Sequence, residues 1–422
     1  MTSTSTPPVA LSAPSRSLRA TLRRRPYTHH NRLVAAVVLV NLGYCVLGSW
    51  WGDPAALAGL VVANFTLAAL IRQQHVVNLL FRLATSAPTH WPLRVRWTLG
   101  KVYHFGGLHV GGATCATAWF LVLAGTITAR GASPALLGLT WTIVALLVVI
   151  TVLALPPLRA RRHDRFERSH RFGGWGVLVL FAAHSALASP AFAFSVNFWL
   201  LLVVTFSVVL PWLRLRRVPV RIVSPSPHVA LVSFDYGVTP FAGSSTAVSR
   251  SPLLEWHSFA NVPAPGRTGF RLTISRSGDW TGSLIADQPT HLWVKGIPTA
   301  GVGNIDKLFT KVVWVATGSG IGPCLPHLLD GGTPSRLVWS TRRPRRTYGD
   351  ALVDEILGVQ PDAVVWDTDT DGKPDLVALT HRVYRESGAE AVICISNKPT
   401  TWQVVEELES RGIPAFGAIW DS

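Results

Sequence analysis

Long apolar stretches fill the first half of the chain, at about residues 33–50, 54–71, 102–127, 134–155, 172–189 and 191–213. Each approaches the roughly 20 residues a helix needs to cross the hydrocarbon of a bilayer, so the pattern predicts six spans. The joining segments alternate in character. The N-terminal tail and residues 72–101, 159–171 and 214–221 are basic, whereas the other turns carry little beyond Asp53 and Arg130. Past Arg221 the texture changes to short β-type runs at 229–234, 245–249, 270–275 and 291–294, separated by Gly, Pro and Asp. These predict a small antiparallel barrel. From about residue 306 buried strand patterns at 312–316, 336–340, 363–367 and 391–396 alternate with helical ones at 323–329, 348–357, 376–386 and 401–411. That alternation predicts a doubly wound α/β domain.

The expected organisation is a disordered basic tail (1–31), a six-helix membrane bundle (32–213), an antiparallel β-barrel (214–305) and a nucleotide-binding α/β domain (306–422). Charge sharpens this picture. The chain has 422 residues and a formal charge of +16, but residues 1–221 hold 22 Lys and Arg against three acids, and the remainder holds 17 against 20. The excess lies in the apolar half and lacks the basic-aromatic pattern of a nucleic-acid groove, so nucleic acid is excluded as a partner. By the positive-inside rule both termini, the basic loops and the C-terminal half are cytoplasmic, and the lipid bilayer is a partner. The four cysteines, Cys45, Cys115, Cys324 and Cys394, are far apart and form neither a disulfide framework nor a zinc motif.

Ionisable residues within spans are costly and point to function. His170 and His184 are 14 residues apart, which on a helix brings them within about 40° of one face and about 21 Å apart along the axis. Two imidazoles so placed could each hold an axial position of one of two stacked haems. His104 and His109 lie near the third span, about 140° apart around a helix.

From these histidines onward the chain resembles the ferric reductase and NADPH oxidase superfamily, whose third and fifth spans each carry a His-x13-His pair. The stretch FERSHRFGGWGVLVLFAAHSAL (166–187) resembles the fifth span, and in KVYHFGGLHVGGATCATAW His104 matches the first position of the third. The second position is Ala118. The resemblance implies a b-type haem between His104 and His170, one haem rather than two, with His184 lacking its expected partner and His109 as a substitute ligand.

The segment VVWVATGSGIGPCLPHLL (312–329) is a strand entering a Gly-rich turn and a helix. Glycines admit a pyrophosphate to the backbone, and the helix N-terminus offers unpaired amides. Thr317, Gly318, Gly320, Ile321, Gly322 and Pro323 match the T-G-x-G-I-x-P turn of ferredoxin reductase-like nicotinamide domains. Arg342, Arg343, Arg345 and Arg346 follow the next strand, where such reductases meet the adenosine ribose; an arginine cluster there favours NADPH over NADH. The resemblance places Cys394 beside the nicotinamide and Trp420 over the flavin, as catalytic residues. EWHSFAN (255–261) resembles the H-P-F-T element, which puts His257 and Ser258 along FAD and Phe259 on its isoalloxazine. SGDWTGSL (277–284) resembles the G-D-W-T turn, with Thr281 and Ser283 at the pyrophosphate.

Asp367-Thr-Asp-Thr-Asp-Gly resembles the start of a calcium loop, but its twelfth position is Ala378, and it is read as a strand-to-helix connection. GGLHVGG, WDTDTDGKPDL and the terminal GIPAFGAIWDS are similar to the membrane reductase-like portion fused, in some fungal proteins, to adenylate-forming domains. The expected function is a membrane oxidoreductase passing electrons from NAD(P)H through FAD to haem and on to a small-molecule or quinone acceptor. An adenylate-forming pathway enzyme is an expected partner. Two rivals stay open: a haem-free membrane-anchored flavin reductase, and a docking or assembly protein that keeps the fold with reduced chemistry.

Overall fold

A computed structural model of the chain describes residues 26–48, 52–263, 266 and 268–417. Five described helices are long and apolar enough to cross a membrane, and a sixth span arises if a helix pair bent by 70° is counted as one. They include α1 (His29–Leu47), α2 (Pro54–Leu70), α5 (Gly106–Ala129), α6 (Pro134–Ala154), α8 (His163–Ala188) and α9 (Val196–Leu213), with the short α7 (Pro156–Arg161) between α6 and α8. Their starts are set locally. Asp53, Ser133 and Ser195 each accept a first-turn amide, and Pro54 and Pro134 occupy first helical positions, where a missing N–H costs nothing.

Polar side chains join the helices inside the bundle. Asn41 and Asn64 exchange hydrogen bonds of 3.1 and 2.8 Å between α1 and α2, and Trp119 of α5 donates to Asn41 at 2.9 Å. Gly107 and Gly111 let α5 approach the α1 backbone so closely that a side chain at either would strike His30 or Val37.

Residues 72–101, expected as a loop, are instead largely helical. They form α3 (Gln74–Thr85), α4 (Leu93–Leu99) and a 3-10 segment, Gly100–Phe105, that leads into α5. The reason is a helical spacing of apolar side chains beneath the basic ones: Val77, Phe81 and Ala84 are buried on one face of α3. Val77 and Phe81 belong to the same core as Trp314 and Trp339 of the α/β domain, so this rim packs directly on that domain.

The barrel contains β1 (Arg216–Ser226), β2 (Val229–Phe234), β3 (Ser244–Ser249), β4 (His257–Ala260), β5 (Phe270–Ser275) and β6 (His291–Ala300), in the order β4-β3-β6-β1-β2-β5. Every pairing is antiparallel, and Val262 and Arg271 exchange backbone bonds of 2.8 and 3.0 Å that link the two edges. A helix missed in the sequence, α10 (Asp279–Asp287), follows β5.

The last part is a parallel sheet, β11-β10-β7-β8-β9, formed by β7 (Val312–Thr317), β8 (Ser335–Thr341), β9 (Val364–Asp367), β10 (Ala391–Ile395) and β11 (Ala415–Gly417). Helices α11 (Ile321–Asp330), α12 (Pro344–Tyr348), α13 (Asp350–Val359), α14 (Leu376–Ser387) and α15 (Lys398–Ser410) connect it. Strand order reverses between β7 and β10, which makes their carboxyl ends the expected ligand crevice.

Candidate functional site

At that crevice Thr317 Oγ1 and Ser396 Oγ lie 2.5 Å apart, bridging the ends of β7 and β10. Gly318 has φ +50°, a conformation that favours glycine, and a Cβ on Gly320 would strike the Ile395 carbonyl. No described side chain caps α11. Its N-terminus is thus turned toward the crevice through a turn that only small residues fit. Ile321 is buried below the turn, Gly322 packs against Thr273 of β5, and Pro323 is half-buried. A cavity of about 670 Å3 opens here, lined by Thr317, Gly318, Thr341, Arg342, Lys373 and Asn397.

The four arginines separate. Arg342 and Arg343 each hold Asp369, at 2.8 and 2.6 Å, whereas Arg345 turns to Asp350 and Asp354 at 3.0 and 2.8 Å. Of the four, Arg342 lines the large cavity; Arg343, Arg345 and Arg346 line a shallower one of about 400 Å3. The calcium-like acidic run is explained by the same contacts. Asp367 accepts the amides of Arg343 and Asp369, which holds its carboxyl below the usual range, and Asp369 serves the arginines. Lys373 was missed because it directly follows that run, whose acids drew the attention.

Cys394 does not line the crevice. It sits fully buried in the middle of β10, among Val313, Val315 and Val404, where burial pushes its thiol up to about 12. A thiol so placed packs the domain core, away from the residues that line the crevice. Trp420 lies outside the described residues.

In the barrel, His257 and Trp280 pack with ring centroids 4.3 Å apart, and Phe259 stacks near Trp280 at 6.0 Å. Ser258, between them on β4, is exposed. His257 Nε2 is buried with no hydrogen-bond partner among the described residues, and burial holds the ring below the usual imidazole value. The hydroxyls expected at a pyrophosphate are otherwise engaged. Thr281 accepts the amides of Ser277 and Gly278 at 2.9 and 3.1 Å and donates back to Gly278, and Ser283 donates to Asp279 at 2.7 Å. Both fasten the start of α10, because the G-D-W-T turn is a helix N-terminus.

Within the bundle the structure brings His109, not His104, to His170: their ring centroids are 5.9 Å apart. His109 Nδ1 donates to the Ala68 carbonyl at 2.9 Å, leaving Nε2 as the unprotonated nitrogen, and His170 Nδ1 is buried without a hydrogen-bond partner among the described residues. Both border an apolar cavity of about 320 Å3 walled by Phe65, Leu147, Trp175 and Phe181. His104 faces elsewhere. It packs on Tyr103 at 4.3 Å and His29 at 6.1 Å, beside a different cavity that Arg32, Arg94 and Trp402 also line. His184 bonds Thr140 at 3.1 Å and lies between Phe120 and Phe181, a hydrogen-bonded core position.

The two regions meet. Glu167 of α8 accepts the amide of Trp256, the residue before His257, and it also pairs with Arg171. Trp175, on the cavity wall, meets Trp212 at 5.3 Å, and Trp212 meets Trp256 at 5.9 Å. Lys295 lies over both of the latter rings, at 4.4 and 4.2 Å.

Residues 302–422 match the family model described as the C-terminal domain of adenylate-forming reductase 03009. Two curated proteins of Coprinopsis cinerea are homologous over most of this chain. Adenylate-forming reductase 03009 is 43% identical and adenylate-forming reductase 06235 is 41% identical, each over 95% of this chain and 41% of its own length. The chain therefore spans less than half the length of these relatives. Among solved structures, a ferredoxin NADP+ reductase of Neisseria gonorrhoeae with bound FAD and NADP covers 49% of this chain and 98% of its own, at 13% identity and a TM-score of 0.40. Full-length CYP116B46 of Tepidiphilus thermophilus gives 17% identity and a TM-score of 0.41, over 49% of this chain and 28% of its own.

Proposed function

We propose that the chain is a membrane flavin oxidoreductase of the ferric reductase-like kind, taking electrons from NAD(P)H at its cytoplasmic module and delivering them to a single haem site inside the bundle. One observation carries the reading. On α8, Glu167 holds Trp256 beside His257, and His170, three residues further along, faces His109 across an apolar cavity. A barrel site and a membrane site thus sit at adjacent turns of one helix, about 4.5 Å apart along its axis.

The residues fit the implied groups. The crevice at Thr317, Gly318 and Gly320 suits a dinucleotide pyrophosphate, with Arg342 and Lys373 on the ribose side, an arrangement that favours NADPH over NADH. His257, Phe259 and Trp280 offer aromatic faces and one unsatisfied buried nitrogen to the flavin ring of FAD. His109 and His170 would hold a b-type haem, and the Ala68 carbonyl fixes the His109 tautomer that leaves Nε2 free to ligate. When bound, the flavin supplies the conversion of hydride chemistry to single-electron transfer. The chain itself orients the nicotinamide at the switch point, keeps water from the apolar cavity and holds the His109 proton on Nδ1.

The name of the curated relatives, adenylate-forming reductase, suggests a place in a longer protein in which an adenylate-forming portion supplies substrate chemistry. The acceptor for this part would be a quinone or another small molecule. The test is a reduced-minus-oxidised optical spectrum of detergent-purified protein, with haem and flavin quantified per chain and NADPH oxidation followed with an artificial dye. One b-type haem with one flavin and turnover supports the reading. Flavin and turnover without haem leave an anchored flavin reductase, and absence of turnover favours a docking protein.

A further inference from the structure

The barrel carries an apolar loop that none of these roles uses. Leu253 and Leu254, between β3 and β4, expose 60% and 45% of their surface, although the loop that bears them is well fastened. Leu254 N donates to Ser251 O at 3.1 Å, Trp256 Nε1 donates to Pro252 O at 3.0 Å, and Arg250 pairs with Asp287 at 2.7 Å. A loop held this firmly could have turned its leucines inward.

The loop's level relative to the bundle is set by Arg171. Its Nη1 donates to the carbonyls of Leu254 at 2.7 Å and Leu253 at 3.4 Å. Arg171 is the last charged residue of α8 before seventeen uncharged positions, 172–188, that can lie in hydrocarbon; the foot of the same helix exposes Arg165 and Arg168, and the segment just before it exposes Arg161 and Arg162. Trp256 packs on Trp212 at the end of α9, whose last residue, Leu213, is 68% exposed. The two leucines therefore sit where both helices leave the apolar layer, beside a belt of arginines.

We propose that this loop inserts Leu253 and Leu254 into the cytoplasmic leaflet of an acidic phospholipid bilayer, with the neighbouring arginines on the phosphate and carboxylate headgroups. Apolar side chains at the acyl boundary beside cations at headgroup level are the arrangement by which interfacial segments hold to membranes. The contact fixes the barrel against the bilayer at the side where His257 meets α8. It rests on the membrane reading of the bundle and is independent of haem and flavin.

The experiment uses the full chain with Cys45→Ser, reconstituted in vesicles of phosphatidylcholine and phosphatidylserine. Spin labels are placed singly at Leu253→Cys and Leu254→Cys, with Val179→Cys in mid-α8 and Asp371→Cys on the cytoplasmic module as references. Collisions with oxygen and with a water-soluble nickel complex report depth. Oxygen-favoured relaxation at 253 and 254, between the values at 179 and 371, supports insertion. Labels at 253 and 254 as nickel-accessible as that at 371 overturn it. Depth unchanged when phosphatidylserine is omitted overturns the acidic-headgroup assignment. A label at 179 that is itself water-exposed defeats the membrane reading separately.

Discussion

Lys101 donates to Glu409 across 2.5 Å, and the two side chains are 8% and 7% exposed. The pair joins the rim of the bundle to α15, and it is reinforced by Trp97 donating to the same carboxylate at 3.1 Å and by Lys101 donating to the Ala415 carbonyl at 2.9 Å. Removing one member leaves the other charge buried without its counter-ion, which costs more than the intact pair contributes.

Lys101→Met is therefore expected to destabilise docking of the α/β domain by about 3–5 kcal/mol. The double variant Lys101→Met/Glu409→Leu should recover most of that loss. A double-mutant cycle on thermal unfolding in detergent, read with protease sensitivity near residue 306, checks both; additive losses would mean the two groups act independently.

On the proposed function, His109→Ala and His170→Ala are each expected to abolish the haem spectrum with flavin retained. His104→Ala should keep it, because His104 packs against Tyr103 and His29 instead of facing His170. Absorption spectra of the three purified variants, normalised to flavin, decide the ligand pair.

Arg342→Ala should raise KM for NADPH by roughly ten- to a hundred-fold, the loss of one or two charge-assisted bonds, with little change for NADH. Arg345→Ala should leave the ratio near that of the parent, since Arg345 lines the separate cavity and not the crevice at Thr317. Steady-state kinetics with both nucleotides provide the check.

Burial, helped by Arg171 and opposed by Glu167, lowers Lys295 from an ordinary 10.5 to about 7. Between those values the unfolded chain binds the extra proton, so stability rises with pH. The contribution is complete above about 10.5 and lost as pH falls through about 7. The faces of Trp212 and Trp256 favour the ammonium and moderate the effect. Wild-type protein is expected to gain stability relative to Lys295→Met as pH is raised from 7 toward 10, measured by denaturant midpoints; a flat difference would place the lysine in water.

Much of this architecture was readable because it rests on short-range rules. The apolar runs, the change of texture near Arg221 and the strand-turn-helix at Thr317 each follow from local periodicity and glycine placement. The histidine pairing did not. A spacing argument from His104 assumes an unbroken α-helix, but Gly100–Phe105 is a 3-10 segment, and its tighter turn changes the direction of His104 relative to the helix that follows. The capping role of Thr281 was hidden for a related reason. A hydroxyl that resembles a ligand contact in the sequence can equally cap a helix, and only the α10 amides reveal which. The helical content of residues 72–101 was hidden by arginines spaced among the buried positions.

Those rim residues impose a restriction on movement. Arg96 holds Glu390 with two bonds of 2.7 and 3.0 Å and also donates to Leu308 O, so it seizes the amino end of β10 as Lys101 seizes α15. His104 and the start of α5 follow directly in the chain. A reductase whose nucleotide domain swings away to exchange its coenzyme would here pull on a helix of the apolar bundle with every turnover. On the proposed function, coenzyme entry would open the crevice from the Lys373 side and leave the bundle still, or each exchange would be a mechanical signal to the segment that carries His109.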